Sequence, residues 1–198
     1  MEKAYSKTRI LVECAIMIAV ATVLSLLKIY EAPLGGSVTL CSMVPLIILS
    51  YRHGAKWGIE AALVYSVLQL VLGIGTVSYV PTFWGVVLCV LFDYIIAFTV
   101  IGLAGIYRGI LKSDYVGITA GAATVCVLRF VCHFLSGAVV WYSITKEGQW
   151  NDLVNRFGMW TYSLIYNAQY MVPETIITVG ATPLVFSVIN LIEKSRRK

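Results

Sequence analysis

The sequence predicts an all-α integral membrane protein, a bundle of six transmembrane helices with both termini in the cytoplasm. Three observations predict it. Apolar residues make up 59% of the 198-residue chain and charged residues only 13%, with a mean hydropathy of +0.84; a soluble domain carries about 25% charged residues. The apolar residues fall in long runs parted by short polar stretches, and about 20 of them suffice to cross a bilayer. The length holds about six such helices as one domain, residues 1–198. The basic residues, finally, gather at the ends of those runs, mostly on one side.

The first helix is predicted over residues 8–27, behind a basic stretch of Lys3, Lys7 and Arg9. Its apolar run is long for a signal-peptide core and no cleavage site follows, so it is read as a retained helix. A loop with Pro33, Gly35 and Gly36 leads to a second helix over residues 39–49. That helix is short for a span, which predicts that it is tilted, broken or joined to part of the loop. Residues 51–56 read as a tight polar turn and 57–72 as the third helix. A Gly/Pro/aromatic loop over 73–83 precedes the fourth helix, 84–107. The fifth helix is predicted over 115–142, the longest polar loop over 143–158, and the sixth helix over 159–192.

Eleven of the fifteen Lys and Arg residues fall on one side of this bundle: Lys3, Lys7, Arg9, Arg52, Lys56, Arg108, Lys112, Lys194, Arg196, Arg197 and Lys198. Lys28, Lys146 and Arg156 fall on the other, and Arg129 lies within the fifth helix. The positive-inside rule makes the first side cytoplasmic and turns the loops after the first, third and fifth helices outward. The same placement argues against nucleic acid as a partner, because the net charge of +5 forms no basic stripe. Five cysteines, Cys14, Cys41, Cys89, Cys126 and Cys132, all lie in apolar runs without a CxxC pair. They read as small packing residues rather than a disulfide framework or a zinc site.

Ionisable groups at membrane depth are costly and mark functional sites. Counted from the outer helix ends, Asp93 and His133 lie 9 residues in and Asn167 lies 8, which places all three about 12–14 Å down. Three polar groups from three helices at one depth predict a site. Arg129 and Glu174, 13 and 15 residues from the outer ends, are level with each other and deeper. They read as a buried ion pair locking the fifth helix to the sixth, with direct ligand contact as the alternative. Glu60, near the inner end of the third helix, is given no ligand role.

Faces sharpen the picture. Arg129, His133, Ser136, Gly137 and Trp141 share one side of the fifth helix, and Tyr162, Tyr166, Asn167, Tyr170 and Glu174 one side of the sixth. An interfacial aromatic belt accounts for Trp57, Trp84, Tyr107, Tyr115 and Trp160; Tyr166 and Tyr170 sit too deep for it. A carboxylate among aromatic faces suits a cation, and Asn and Tyr can read a heteroaromatic edge. The implied ligand is small, flat and positively charged. Neither an ion-selectivity filter nor enough ligands for a metal site is present, and no cofactor is implied.

These residues resemble a known family, the thiamine-specific S components of energy-coupling factor transporters, which are prokaryotic vitamin uptake systems of the cell membrane. The resemblance covers nearly the whole chain. It rests on Gly35-Gly36-Ser37-Val38-Thr39, on Asp93-Tyr94-Ile95-Ile96-Ala97-Phe98, on Gly102-Leu103-Ala104-Gly105, on Arg129-Phe130 through His133 and Ser136-Gly137 to Trp141, and on Tyr162-Ser163 through Tyr166-Asn167 and Tyr170 to Pro173-Glu174. It implies a non-enzymatic subunit that captures thiamine on the outside. The thiamine rings would lie among His133, Trp141, Tyr162 and Asn167 with an acid from the fourth helix. Tyr94 and Tyr166 would join them, as would Tyr65, Gln69 and Tyr79. Two departures stand out. Asp93 replaces the usual Glu, which shortens the acid by one methylene and implies a tighter pocket or an intervening water. A loop tryptophan expected after the first helix is missing, and Tyr30 is the nearest aromatic.

The same resemblance implies partners: a transmembrane coupling subunit, against which Ala15 and Ala19 of the first helix would pack, and two ATPase subunits. No GxxxxGK[ST] segment occurs in this chain, so ATP hydrolysis would come from them. The loop after the first helix would act as a lid ordered by ligand. Two other readings remain open at this level: an S component for another vitamin or a pyrimidine precursor, and a membrane-embedded enzyme using Asp93 and His133 as acid and base.

Overall fold

A computed structural model describes residues 6–195. Among them six helices build the bundle: α1 (Lys7–Leu26), α2 (Val44–His53), α3 (Ala55–Leu72), α4 (Phe83–Tyr107), α5 (Asp114–Gly148) and α6 (Met159–Ser195). Five of these, all but α2, are long and apolar enough to cross a membrane. Lys3, Arg196, Arg197 and Lys198, counted above to the inner side, lie outside the described residues.

The exception is informative. Every residue from Val44 to Tyr51 is buried, and α2 touches α1, α3, α4, α5 and α6. Its 10 residues rise only about 15 Å, half the hydrocarbon core. Surrounded by protein, it has no lipid-facing surface to match to that thickness. It also begins later than the sequence predicts. Thr39, assigned to its first turn, instead ends the second strand of a hairpin, and the chain turns at Cys41 (φ 59°) before Val44 and Pro45 open the helix. At the other end the predicted polar turn shrinks to one residue, Gly54, whose φ of 92° lets α3 follow at once.

The outer loop after α1 is a hairpin rather than irregular. Strand β1 (Lys28–Glu31) pairs antiparallel with β2 (Ser37–Thr39), with Glu31 opposite Ser37. Two helices depart from α geometry. Helix α4 is π-helical over Val90–Ile96 and becomes a 3₁₀ helix over Val100–Tyr107; α5 is π-helical over Gly137–Trp141 and runs on to Gly148, beyond its predicted end. The 3₁₀ stretch presses against α2 and α3 at van der Waals range. A Cβ on Gly102 would fall 2.4 Å from the backbone of Gly58. Ser50 of α2 donates to the Gly102 carbonyl (2.5 Å) and accepts from the Gly105 amide (2.8 Å), supplying a hydroxyl inside the apolar core.

Arg52 of α2 pairs with Glu13 of α1 (3.1 Å) and Glu193 of α6 (2.7 Å). The start of α1 and the end of α6 therefore meet at one end of the bundle. The hairpin caps the other.

Candidate ligand-binding site

Beneath the hairpin lies a cavity of about 250 Å³, bounded by α1, α3, α4, α5, α6 and the hairpin. Its upper tier centres on Asp93. The π-helical stretches of α4 and α5 bring Asp93 and Trp141 into it; such stretches redirect side chains that an unbroken α-helix would place elsewhere. Asp93 Oδ1 meets His133 Nδ1 at 3.0 Å, and Oδ2 accepts from Ser136 Oγ (2.6 Å) and Trp141 Nε1 (2.8 Å). The shorter acid therefore reaches its protein partners directly. The contact through Nδ1 fixes the orientation of the His133 ring and leaves its Nε2 atom turned away from Asp93. That atom is buried and has no hydrogen-bond partner among the described residues. The carboxylate holds three donors and still has lone-pair capacity on Oδ1.

The structure brings Asn167 to the same level, where its amide serves the protein. Its nitrogen donates to the His133 carbonyl (3.2 Å) and to Ser163, and its oxygen accepts from the Tyr170 hydroxyl (2.5 Å). Ser163 donates to the Phe134 carbonyl (2.6 Å). These bonds tie α5 to α6 and hold Tyr170 in place. Tyr162 is fixed through Thr145 (3.1 Å) and stacks on Tyr166, the ring centroids 5.8 Å apart. The aromatic face of α6 is thus a rigid wall.

Tyr166 also carries the roof. Its hydroxyl accepts from the Leu34 amide and donates to the Gly35 carbonyl, both at 3.0 Å. Next to it Gly36, at φ 87°, lies so close to the Tyr170 ring that a Cβ would fall 2.5 Å away. Only glycine meets both conditions. Below, the end of β2 is gripped by Glu174: the Thr39 amide donates to Oε2 (2.7 Å) and its hydroxyl to Oε1 (2.8 Å).

This last grip corrects the predicted Arg129–Glu174 ion pair. Both residues are buried, 8% and 2% exposed, but no direct salt bridge joins them among the described residues. Glu174 spends its oxygens on Thr39. Arg129 donates from Nη1 to the Met43 sulfur (2.7 Å) and lies 4.5 Å over the Phe98 ring. The sequence offered no sign that a strand would reach Glu174, because helix periodicity says nothing about an inserted hairpin.

The other predicted residues divide. Tyr65, Gln69 and Tyr94 line the cavity. Gln69 donates to Ser25 of α1 (2.9 Å), and Tyr94 to the Gly73 carbonyl at the end of α3 (3.0 Å). Tyr30 and Tyr79 do not line it. Tyr30 is 44% exposed on β1, whose four residues all face outward, and Tyr79 is 59% exposed with its ring edge-on to Trp150. Ala15 and Ala19 are exposed on the outer face of α1. Several lining residues escaped the sequence reading, among them Ser25, Ser42, Thr76 and Phe98. Phe98 lay within a quoted motif; the small hydroxyl residues carried no distinguishing pattern. The cavity floor also lies deeper than the Asp93 level, reaching Arg129, Tyr65 and Glu174.

Comparison with known proteins agrees with this architecture. Residues 11–193 match the family described as thiamine transporter protein (Thia_YuaJ). The thiamine transporter ThiT of Bacillus subtilis (strain 168) is 33% identical over 187 residues, 89% of each chain. That of Lacticaseibacillus paracasei is 28% identical over 156 residues, 74% of this chain and 71% of its own. The solved structure of ThiT from Listeria monocytogenes superposes with a TM-score of 0.67 at 22% identity, covering 96% of this chain and 97% of its own, and so shares the fold. The family match runs from α1 to α6, in keeping with a multi-pass protein of the cell membrane. On that match and the Bacillus subtilis relative, the chain belongs to the thiamine transporter protein family.

Proposed function

We propose that this chain captures thiamine from the outer side of the membrane as the substrate-binding subunit of an energy-coupling factor importer. Thiamine joins an aminopyrimidine to a thiazolium ring that carries a permanent charge and a hydroxyethyl tail. The observation that carries the reading is the upper tier: one carboxylate, oriented by three donors, beside Trp141, His133 and the Tyr162–Tyr166 stack. Charge pairing and cation–π attraction both favour a flat cation there. A cavity of about 250 Å³ sits near the small end for ligand sites, about 300–1,000 Å³, and suits a compact two-ring molecule.

The roof gives capture a mechanism. The hairpin turn is held by two bonds to Tyr166 and one glycine contact with Tyr170, all on the wall that touches the ligand. Ligand bound against that wall closes the exit by steadying the hairpin's anchor. Delivery inward falls to partners, a transmembrane coupling subunit and two ATPases. The exposed Ala15 and Ala19 on α1 fit close helix approach by the coupling subunit.

The test is titration of the purified protein with thiamine, read by quenching of tryptophan fluorescence, since Trp141 lines the cavity. Saturable quenching that His133→Ala abolishes, with folding intact, is the expected result. No response to thiamine together with tight binding of another vitamin would overturn the substrate. Chemical turnover of thiamine by the isolated chain would overturn the transport reading.

A further inference from the structure

A second hollow lies on the outside of the bundle, between α3 and α4. The two helices meet backbone to backbone at Gly58 and Gly102. Along this contact α4 passes from π-helical to 3₁₀ geometry, so its rows of side chains no longer follow the regular ridges of α3. The mismatch leaves a groove of about 260 Å³, in which Ile59 and Leu63 of α3 face Ile95, Ile96, Val100 and Leu103 of α4. Thr99 completes the wall with its hydroxyl oxygen buried, so the surface on offer is hydrocarbon. None of these residues lines the cavity beneath the hairpin. Leu63 and Ile96 are 45% and 37% exposed, and the groove opens outward to the bilayer.

Depth and charge name the occupant. Ile59 and Leu63 stand about 6 and 12 Å from the start of α3 at Ala55. Half the hydrocarbon core is about 15 Å, so this wall spans the inner leaflet. Lys56 stands at the inner mouth. It shares a face with Ile59 and Leu63, three and seven residues on, and it is exposed with no salt bridge among the described residues. The acid next in sequence to Ile59, Glu60, turns toward α1, where it acts on Cys14. The mouth therefore offers a cation with no carboxylate of its own. A partner helix does not fit: 12 Å of helix about 10 Å wide fills on the order of 900 Å³. A single hydrocarbon chain is far thinner and matches the apolar wall.

We propose that the α3–α4 groove is a lipid site. It seats one acyl chain of an inner-leaflet phospholipid with an anionic headgroup, whose phosphate pairs with Lys56. An anionic headgroup is preferred over a zwitterionic one because the mouth has no acid to take an ammonium. The site is independent of the thiamine reading. It places a lipid against the Gly58–Gly102 contact, where α4 is least regular.

The experiment is native mass spectrometry of the full-length protein in detergent, titrated with dioleoyl phosphatidylglycerol or dioleoyl phosphatidylethanolamine. Wild type is expected to hold one phosphatidylglycerol about 5-fold more tightly than phosphatidylethanolamine, the worth of one lysine at a membrane surface. Lys56→Gln should keep one bound lipid and bring the two headgroups within about 2-fold of each other. Leu63→Trp and, from the facing helix, Ile96→Trp fill the groove from lipid-exposed positions. Each should weaken both lipids at least about 10-fold, which takes only about two displaced methylenes. Val71→Trp is the control, on a residue of α3 that is 63% exposed and outside the groove, and should change neither. Thermal melting in detergent shows which variants are folded, and either groove variant suffices. Equal retention of the two lipids by wild type would overturn the proposal, as would the same loss from Val71→Trp as from the groove variants. A folded Leu63→Trp that keeps its lipid but no longer co-purifies with the coupling subunit would overturn it in favour of a protein occupant.

Discussion

The two halves of this bundle solve opposite problems. The inner half is close-packed: α2 is buried on every side, Gly102 meets Gly58 backbone to backbone, and Ser50 bridges the Gly102 carbonyl and the Gly105 amide. The outer half is irregular. It contains the π-helical turns, the hairpin, the cavity and most of the buried polar side chains. The contrast teaches where stability and recognition reside. A rigid inner core frees the outer helices to hold irregular turns around a cavity.

The largest effect that sharpens this comparison is expected in the inner half. Gly102→Val places a branched side chain where the Gly58 backbone already stands. Overpacking of this kind costs about 1–3 kcal/mol and more when backbone must move. The variant should lose much of its melting temperature in detergent, while any folded fraction binds thiamine as wild type does. In the outer half, Asp93→Asn keeps the side chain's size and should lower melting less than Gly102→Val does, while weakening thiamine at least about 100-fold through loss of the charge that faces the cation. A parallel loss of stability and affinity in either variant would break the division.

Smaller effects probe the roof. Tyr166→Phe removes both hydrogen bonds to the hairpin turn. At about 1 kcal/mol each, stopped-flow fluorescence should show thiamine leaving about 10- to 30-fold faster, with little change in association. The smallest effect on binding is expected on the outer face of α1. Ala15→Leu with Ala19→Leu should leave thiamine affinity unchanged and abolish co-purification with the coupling subunit. Reduced affinity there would mean that α1 serves the cavity rather than the partner.

The helical membrane bundle and the common depth of its polar residues were legible in the sequence, because hydropathy and 3.6-residue spacing carry them. Asp93, His133 and Asn167 stood at one level on paper and meet within hydrogen-bond range in the structure. The hairpin was not legible. Residues 28–39 carry Pro and two glycines, which mark a turn but give neither its register nor its insertion to Glu174. For the same reason Arg129 and Glu174, level along their helices and both lining the cavity, were paired on paper but make no direct salt bridge among the described residues, the Glu174 oxygens going to Thr39. The π-helical turns leave no compositional trace, so the exact facing of Trp141 and the extension of α5 could not be read either. Tyr30 and Tyr79 were put forward on the family resemblance, and both stand exposed outside the cavity lining.

The central claim is that Asp93 holds the charged ring of thiamine. The most direct measurement compares thiamine with its neutral isostere, in which a thiophene replaces the thiazolium, on wild type and on Asp93→Asn. Wild type should prefer the cation by at least about 30-fold, and Asp93→Asn should bring the two ligands within about 3-fold of each other. Full discrimination retained by Asp93→Asn would contradict the account and move the cation's partner elsewhere in the cavity.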